Sequence, residues 1–443
     1  MDATLQKIFS IIDAHHAEII AFGDDIYNHA ELGYKEFRTT AAFQERMQSL
    51  GLPVQAGLAI TGARACLNPE KRAQGSLALI AELDALRIPA HAHANPETQA
   101  AHCCGHHAQL AGLVGAAIAL TDPEIRAVLD GQVVFFAVPA EEYGELEFKK
   151  GLMEAGRIAY GGGKCELLRV GAFDDIDMSV VHHLAPNTDI SLGSGSSNGF
   201  VSKVITLRGR AAHAAAAPER GVNALSAASL GLQALALNRE TFRDADCVRV
   251  HPILTRGGDL VNVVPETAVV ETLVRGRTLE AIQDAARKTD RSFQAGALAM
   301  GAGLRIETMP GYLPQLASVT PDEIVQAVQD CFGASRVQQE DPAGHSGGSS
   351  DVGDLKHLQP VLSFRTGGMS GSLHGTDFDI VDAEKAYIET AKLFALHAYL
   401  LLKDGAHLLH QVKEAYSPRF ASIDDYTACM DRFTSLQEMP LQN

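Results

Sequence analysis

The sequence predicts an α/β protein: a mostly parallel sheet with helices on both faces, interrupted by a smaller inserted α+β unit. Three observations predict it. Short apolar runs of strand length alternate with helical stretches. Each run ends in a side chain able to do chemistry. Near residue 190 the texture changes, and a Ser- and Gly-rich stretch precedes a separate group of strands and helices. Strands that alternate with helices favour a parallel sheet, because parallel neighbours need a long crossover and a helix supplies it.

Taken in order, residues 4 to about 50 have helical apolar spacing, and "TTAAFQERMQSLGL" closes on a glycine that reads as a stop. The runs "SLALIAEL" (76 to 83), "QVVFFAVPA" (132 to 140), "MSVVHH" (178 to 183) and "PVLSFRT" (360 to 366) are bounded by polar or Gly-rich segments, as buried strands should be. Between them "HAQLAGLVGAAIALTD" and "GLMEAGRI" read as helices. The stretch "DISLGSGSSNG" reads as a connector. After it, "FVSKVITLRG", a helix around "NALSAASLGLQALAL", the strands "CVRVHPILTRGG" and "TAVVETLVRGR", and the helix "LEAIQDAARKTDRSFQAGALAMG" form a compact set. These assign residues 198–306 to the inserted unit and residues 1–197 with 307–443 to the larger one. The strand "GLRIETMPGYLP" and the helix "PDEIVQAVQDCFG" lead the chain back; "VQQEDPAGHSGGSSD" is a loop, and the segment after about residue 405 is helical.

Composition narrows the function. A chain of 443 residues with 46% hydrophobic and 21% charged residues has ample material for folded cores. Its formal net charge of -17 argues against nucleic-acid or anionic-membrane surfaces, which need clustered Lys and Arg. A small-molecule substrate is expected. The opening "MDATLQKIFSIIDAHHAEII" lacks the pattern of a signal peptide, and no stretch is apolar enough for a membrane span. Seven scattered cysteines are unlike a secreted disulfide scaffold, so the expected compartment is the cytoplasm.

The strand ends carry the chemistry. Asp84 follows the first apolar run, Glu141 and Glu142 the second, His182 and His183 close the third, and the loop after the fourth reaches His374. In open α/β sheets ligands bind outside the carboxyl ends of strands, so these residues would converge. "HCCGHH" at 102 to 107 sits before a helix, at the same level. A thiolate, imidazoles and carboxylates suit Zn²⁺ or a similar ion. A lone Cys is usually a small core residue, a reading kept for Cys103, Cys165, Cys247, Cys331 and Cys429 but not for Cys104, which coincides with the strand ends.

"HCCGHH" resembles the His-Ala-Cys-Gly-His-Asp motif of the M20 metallopeptidases and amidohydrolases, the branch of aminoacylases, hippurate hydrolases, auxin-conjugate hydrolases and aminobenzoyl-glutamate hydrolases. The segments "HAELGYKEFRT", "LDALRIP", "PAEEYGE", "GRAAHAAAAPERGVNAL", "GGDLVNVVPETAVVETLVRGR" and "SLHGTDFDI" are similar to further family motifs in the same order. The resemblance implies a zinc-peptidase-like catalytic unit, a lid that dimerises, and two Zn²⁺ or Mn²⁺ ions bridged by Cys104. Glu142 and His374 would complete one ion, His106 and His183 the other, with His182 the alternative to His183. It implies Glu141 as general base, Asp84 orienting a ligating His, His213 with Asn262 stabilising an oxyanion, and Arg275 holding a substrate carboxylate. A homodimer is implied, the lid His reaching the neighbouring site. The implied reaction is hydrolysis of the amide bond of a small N-acyl amino acid or dipeptide-like substrate. Positions 103, 107 and 82 depart from the motifs.

Two other readings compete. "GHSGG" fits Gly-x-Ser-x-Gly with Ser346 as a serine nucleophile, but polar residues precede it where a strand is required. A binding protein without catalysis would keep the thiol and imidazoles but has no need of Glu141.

Overall fold

The computed structural model describes residues 2 to 442. Eight strands form the larger sheet, in the spatial order Val54–Leu58, Gly62–Leu67, Gln132–Val138, Ser76–Glu82, Met178–Leu184, Val361–Thr366, Ile190–Leu192 and Val337–Gln339. The four central strands, Gln132–Val138 to Val361–Thr366, run parallel. Antiparallel strands flank them. Alternation separates two cores: Leu77, Leu79 and Ala81 face one, while Ala78 and Ile80 face the other with Leu168, Tyr426 and Met430. Helices therefore cover both faces, which is why the central strands are apolar on both sides.

Every residue of the helix His106–Leu120 is buried, which explains its lack of a polar stripe. It packs closely on the helix Thr390–Leu402; a Cβ at Gly112 would sit 2.3 Å from the Thr390 methyl. Among the described residues no helix is long and apolar enough to cross a membrane.

A second sheet is built from Arg249–Val250, Thr267–Gly276, Gly199–Arg208, Gly303–Pro310 and Ser435–Met439, with Ile253–Arg256 also paired to Thr267–Gly276. The helices Ala224–Asn238 and Leu279–Met300 cover one face, with Phe293 fully buried beneath them.

Several expectations are corrected. "CVRVHPILTRGG" is two strands, not one, because Pro252 cannot donate to a ladder. The strand Gly303–Pro310 does not return to the larger sheet; it pairs along Gly199–Arg208, and Ser435–Met439 pairs along it in turn. Residues 307–443 thus contribute to both sheets. The connector and the polar loop hold strands Ile190–Leu192 and Val337–Gln339, whose backbone groups pair with each other. The helix expected at "GLMEAGRI" starts earlier, as Leu146–Glu154, and Gly156 follows it with φ 65°.

Beneath the strand ends the core is charged. The fully buried Lys164 ammonium lies 2.6 Å from both Glu82 Oε1 and Asp351 Oδ1. Gln109 Nε2 donates to the other Glu82 oxygen at 2.8 Å. Lys164 is held there by the tight turn before it; a Cβ at Gly163 would fall 1.6 Å from the Pro139 carbonyl oxygen. Removing one partner of such a network strands the others, so Lys164→Met is expected to lower stability by about 3–5 kcal/mol. Guanidinium denaturation of the purified variant measures it, and a change under about 1 kcal/mol would show that the network does not govern stability.

Candidate metal centre

The sheet delivers its residues to one place. After Gln132–Val138 the chain turns through Ala140, held at φ 49°, and presents Glu141 and Glu142. Glu36 Oε1 fixes that turn by accepting from Ala140 N at 2.8 Å. Gly105, at φ 88°, lets "HCCGHH" enter its helix while Cys104 and His106 both face the strand ends.

Two groups of three ligand-type side chains share one atom. Cys104, His106 and His183 form one, Cys104, Glu142 and His374 the other, and within each group the ligand atoms lie within 4.8 Å of one another. Cys104 Sγ is 3.3 Å from His183 Nε2, and His374 Nε2 is 3.0 Å from Glu142 Oε1. A third group, Glu82, His106 and Glu141, adjoins them. The other ring nitrogens are oriented: His183 Nδ1 lies 2.6 Å from the Leu184 carbonyl, and His106 Nδ1 lies 2.8 Å from the Asp84 carbonyl and 3.3 Å from Asp84 Oδ1. Asp84 Oδ2 also accepts from Glu142 N at 2.9 Å, so one carboxylate braces both groups.

The donor set fits divalent cations. Glu142 Oε1, His106 Nε2 and Asp84 Oδ1 are buried, and their near neighbours are one another's ligand-type groups: His374 Nε2 for Glu142, Glu82 Oε2 at 3.0 Å for His106 Nε2, and His106 Nδ1 for Asp84. Burial and the Glu142 charge push the Cys104 thiol well above its ordinary range, so it ionises only beside positive charge. Burial would depress the His106 imidazole, but Glu82 and Asp84 outweigh it and hold it well above its usual value. Glu141, with Oε2 4.0 Å from His106 Nε2, is raised well above the carboxylate range by burial, then by Glu82, Glu142 and Asp351. A buried carboxylate with raised proton affinity, next to a ligand group, is suited to take and return a proton.

Alternation sends the two strand histidines to opposite sides, and His183, not His182, joins a ligand-type group. His182 points into the opposite core between Phe364 and Phe394, with Nε2 2.7 Å from Thr366 Oγ1. Neither unusual residue of "HCCGHH" joins a ligand group. Cys103 is buried in the helical core and its carbonyl accepts from His374 N at 2.8 Å. His107 stacks near Tyr27 and Tyr387.

Arg275 is half-buried near this centre, with Nη1 3.2 Å from Ser349 Oγ and its guanidinium 5.5 Å from the Phe200 ring centroid. Burial lowers its proton affinity while Glu142 and Glu141 oppose that, which sets it within their electrostatic reach. His213 and Asn262 are not brought to the cluster. They sit on two adjoining exposed loops of the smaller unit, Ala214 N donating to the Asn262 carbonyl at 3.0 Å. Ser346 lies in the short strand His345–Ser346, and its hydroxyl accepts from Gly348 N at 3.2 Å, while the adjacent His345 ring turns away to Ser196 Oγ and Asn198 Oδ1. It lacks the strand-to-helix elbow of a serine hydrolase.

Sequence reasoning missed Lys164 and Asp351, and treated Glu82 only as a motif departure. The signal for Glu82 was present, since it closes an apolar strand as Asp84 nearly does. Nothing local marks Lys164 or Asp351, which meet only through the fold.

The family model of the peptidase dimerisation domain matches residues 196–294. The chain is 28% identical over 368 residues to the Xaa-Arg dipeptidase of Mus musculus, covering 79% of this chain and 77% of that one. It is 25% identical to the N-acetyl-L-cysteine deacetylase of Bacillus subtilis, covering 90% of each. Among solved structures, it superposes with a TM-score of 0.60 on a dinuclear metal-binding peptidase of the M20 family from Bacillus subtilis, 22% identical over 88% of this chain and 99% of that one. It superposes with a TM-score of 0.64 on an aminobenzoyl-glutamate utilization protein from Klebsiella pneumoniae, 20% identical over 88% of this chain and 98% of that one. Motif order, the dimerisation-domain match and near full-length relatives agree in one direction: the chain is similar to the M20 metallopeptidases and amidohydrolases along most of its length.

Proposed function

We propose that the protein is a dinuclear metal-dependent amidohydrolase that cleaves the amide bond of a small N-acyl amino acid or dipeptide-like substrate. The observation that carries this is one thiol, Cys104, shared by two three-residue ligand groups with Glu141 beside them. Cys104, His106 and His183 would hold one ion and Cys104, Glu142 and His374 the other; Zn²⁺ and Mn²⁺ both suit these donors. When bound, such ions supply Lewis acidity toward a water and an amide carbonyl.

The chain's own residues do the rest. Glu141 takes a proton from the attacking water and passes it to the leaving amine, while Asp84 keeps the His106 imidazole and the Glu142 backbone in register. Arg275 offers a planar fork to the substrate carboxylate, a geometry that lysine cannot copy. Relatives named for a dipeptide ending in Arg and for N-acetyl-L-cysteine both point to an amide beside a carboxylate.

His213 and Asn262 lie on the exposed face of the smaller unit, close to Leu260 at 65% and Val261 at 103% exposure. That apolar rim supports a homodimer in which His213 and Asn262 of one subunit complete the oxyanion site of the other, and the cytoplasm is the proposed compartment.

Glu141→Gln is expected to lower kcat on N-acetyl amino acids by about 10²–10⁴-fold while metal content per chain, read by elemental analysis, stays unchanged. Undiminished hydrolysis would remove Glu141 from the mechanism, and an as-purified protein that neither contains nor takes up Zn²⁺ or Mn²⁺ would end the metallohydrolase reading. Dimer complementation tests the lid: equal amounts of Glu141→Gln and His213→Ala, each inactive alone, should regain about a quarter of wild-type activity after subunit exchange. No recovery, with exchange verified by mass, would place His213 in its own chain's site or outside catalysis.

A further inference from the structure

At the amino-terminal ends of the parallel strands, opposite the metal centre, lies a cleft of about 900 Å³. It is formed where residues 316–322 and 408–419 cover the start of the strand Val361–Thr366. One strand length, roughly 20 Å, separates it from the metal-binding end of the sheet. Its volume is that of a small-molecule site, and most of its wall is apolar, with Leu316, Val361, Leu362, Leu408 and Val412 contributing.

Three buried polar side chains interrupt that wall, Lys356, Thr320 and Gln359, of which Gln359 is satisfied by donating to Ser179 Oγ at 2.8 Å. Lys356 is 3% exposed, and its ammonium contacts only two hydroxyls, Ser194 Oγ at 2.6 Å and Ser318 Oγ at 3.2 Å. No carboxylate pairs with it among the described residues, unlike Lys164 and Lys203, which have carboxylates at 2.6 and 2.7 Å. Thr320, also 3% exposed, has a hydroxyl with no partner among the described residues. A buried ammonium without a counter-charge and a buried hydroxyl without a partner both carry an energetic penalty that a ligand oxygen relieves. Burial pushes the Lys356 amine down to about 7, the behaviour of a cation lacking an anion. The one carboxylate in the lining, Asp322, is exposed.

We propose that this cleft binds a small carboxylic acid with an apolar tail, separately from the metal centre. The carboxylate takes the third Lys356 N–H and the Thr320 hydroxyl, and the tail lies along Leu362, Leu408 and Val412. The amine makes the anion specific and the wall makes the tail necessary.

Hydrogen-exchange mass spectrometry on the metal-loaded protein tests this with hexanoate, hexan-1-ol and inorganic phosphate as probes. Hexanoate is expected to slow exchange in residues 316–322 and 408–419 of the wild type and not of Lys356→Met, whose fold is checked by retained amide hydrolysis. Absence of protection overturns the proposal. So does protection that persists in Lys356→Met, equal protection by hexan-1-ol, which would mean apolar filling alone, or equal protection by phosphate, which would mean a general anion site. Should Lys356→Met fail to fold, the isosteric Thr320→Val serves. There the hexanoate concentration for half-protection is expected to rise about fivefold, and an unchanged value overturns the proposal.

Discussion

The contact on which the candidate centre rests is the Lys164 ammonium held between Glu82 and Asp351 below the strand ends. Five carboxyl groups, Glu82, Asp84, Glu141, Glu142 and Asp351, meet in that region, and Lys164 is the only lysine that touches any of their carboxylate oxygens among the described residues. The nearby buried Lys149 spends its ammonium on the Glu142 carbonyl instead. One positive charge fixes the floor and leaves the roof acidic. Further cations above it, where the thiol and imidazoles converge, would relieve that excess of acid. The sheet makes this possible, since four parallel strands bring their carboxyl ends to one level and turn sequence-distant acids into neighbours.

This explains what could be read in the sequence. The convergence of Cys104, His106, His183, Glu142 and His374 was legible because they follow strand-like runs or lie at the start of a helix, so a one-dimensional pattern maps onto one edge of the sheet. The choice of His183 over His182 needed the pleat, since adjacent residues face opposite cores and only the sheet reveals which core holds Phe394. Lys164 was illegible for a different reason: its role depends on the Gly163 turn approaching Pro139, a contact that no local spacing encodes. The edges of the larger sheet were missed because Ile190–Leu192 and Val337–Gln339 are short and flanked by Gly and polar residues, so their pairing, not their composition, makes them strands.

The departures in "HCCGHH" have a plain structural meaning. Cys103 and His107 face the helical core, one behind the Cys104 thiol and the other beside the His106 imidazole, where Tyr27, Phe378 and Tyr387 surround His107. Neither belongs to the two ligand-type groups that share Cys104.

The strands of the smaller sheet that enter or leave the larger unit, Gly199–Arg208, Gly303–Pro310 and Ser435–Met439, are neighbours, and their crossing points fall in a row: Val201 opposite Pro310, and Thr308 opposite Ser435. The smaller unit is therefore joined to the larger along a row of three hydrogen-bonded strands and not at a single point, and Arg275, on the strand that pairs along Gly199–Arg208, is anchored directly beside that junction.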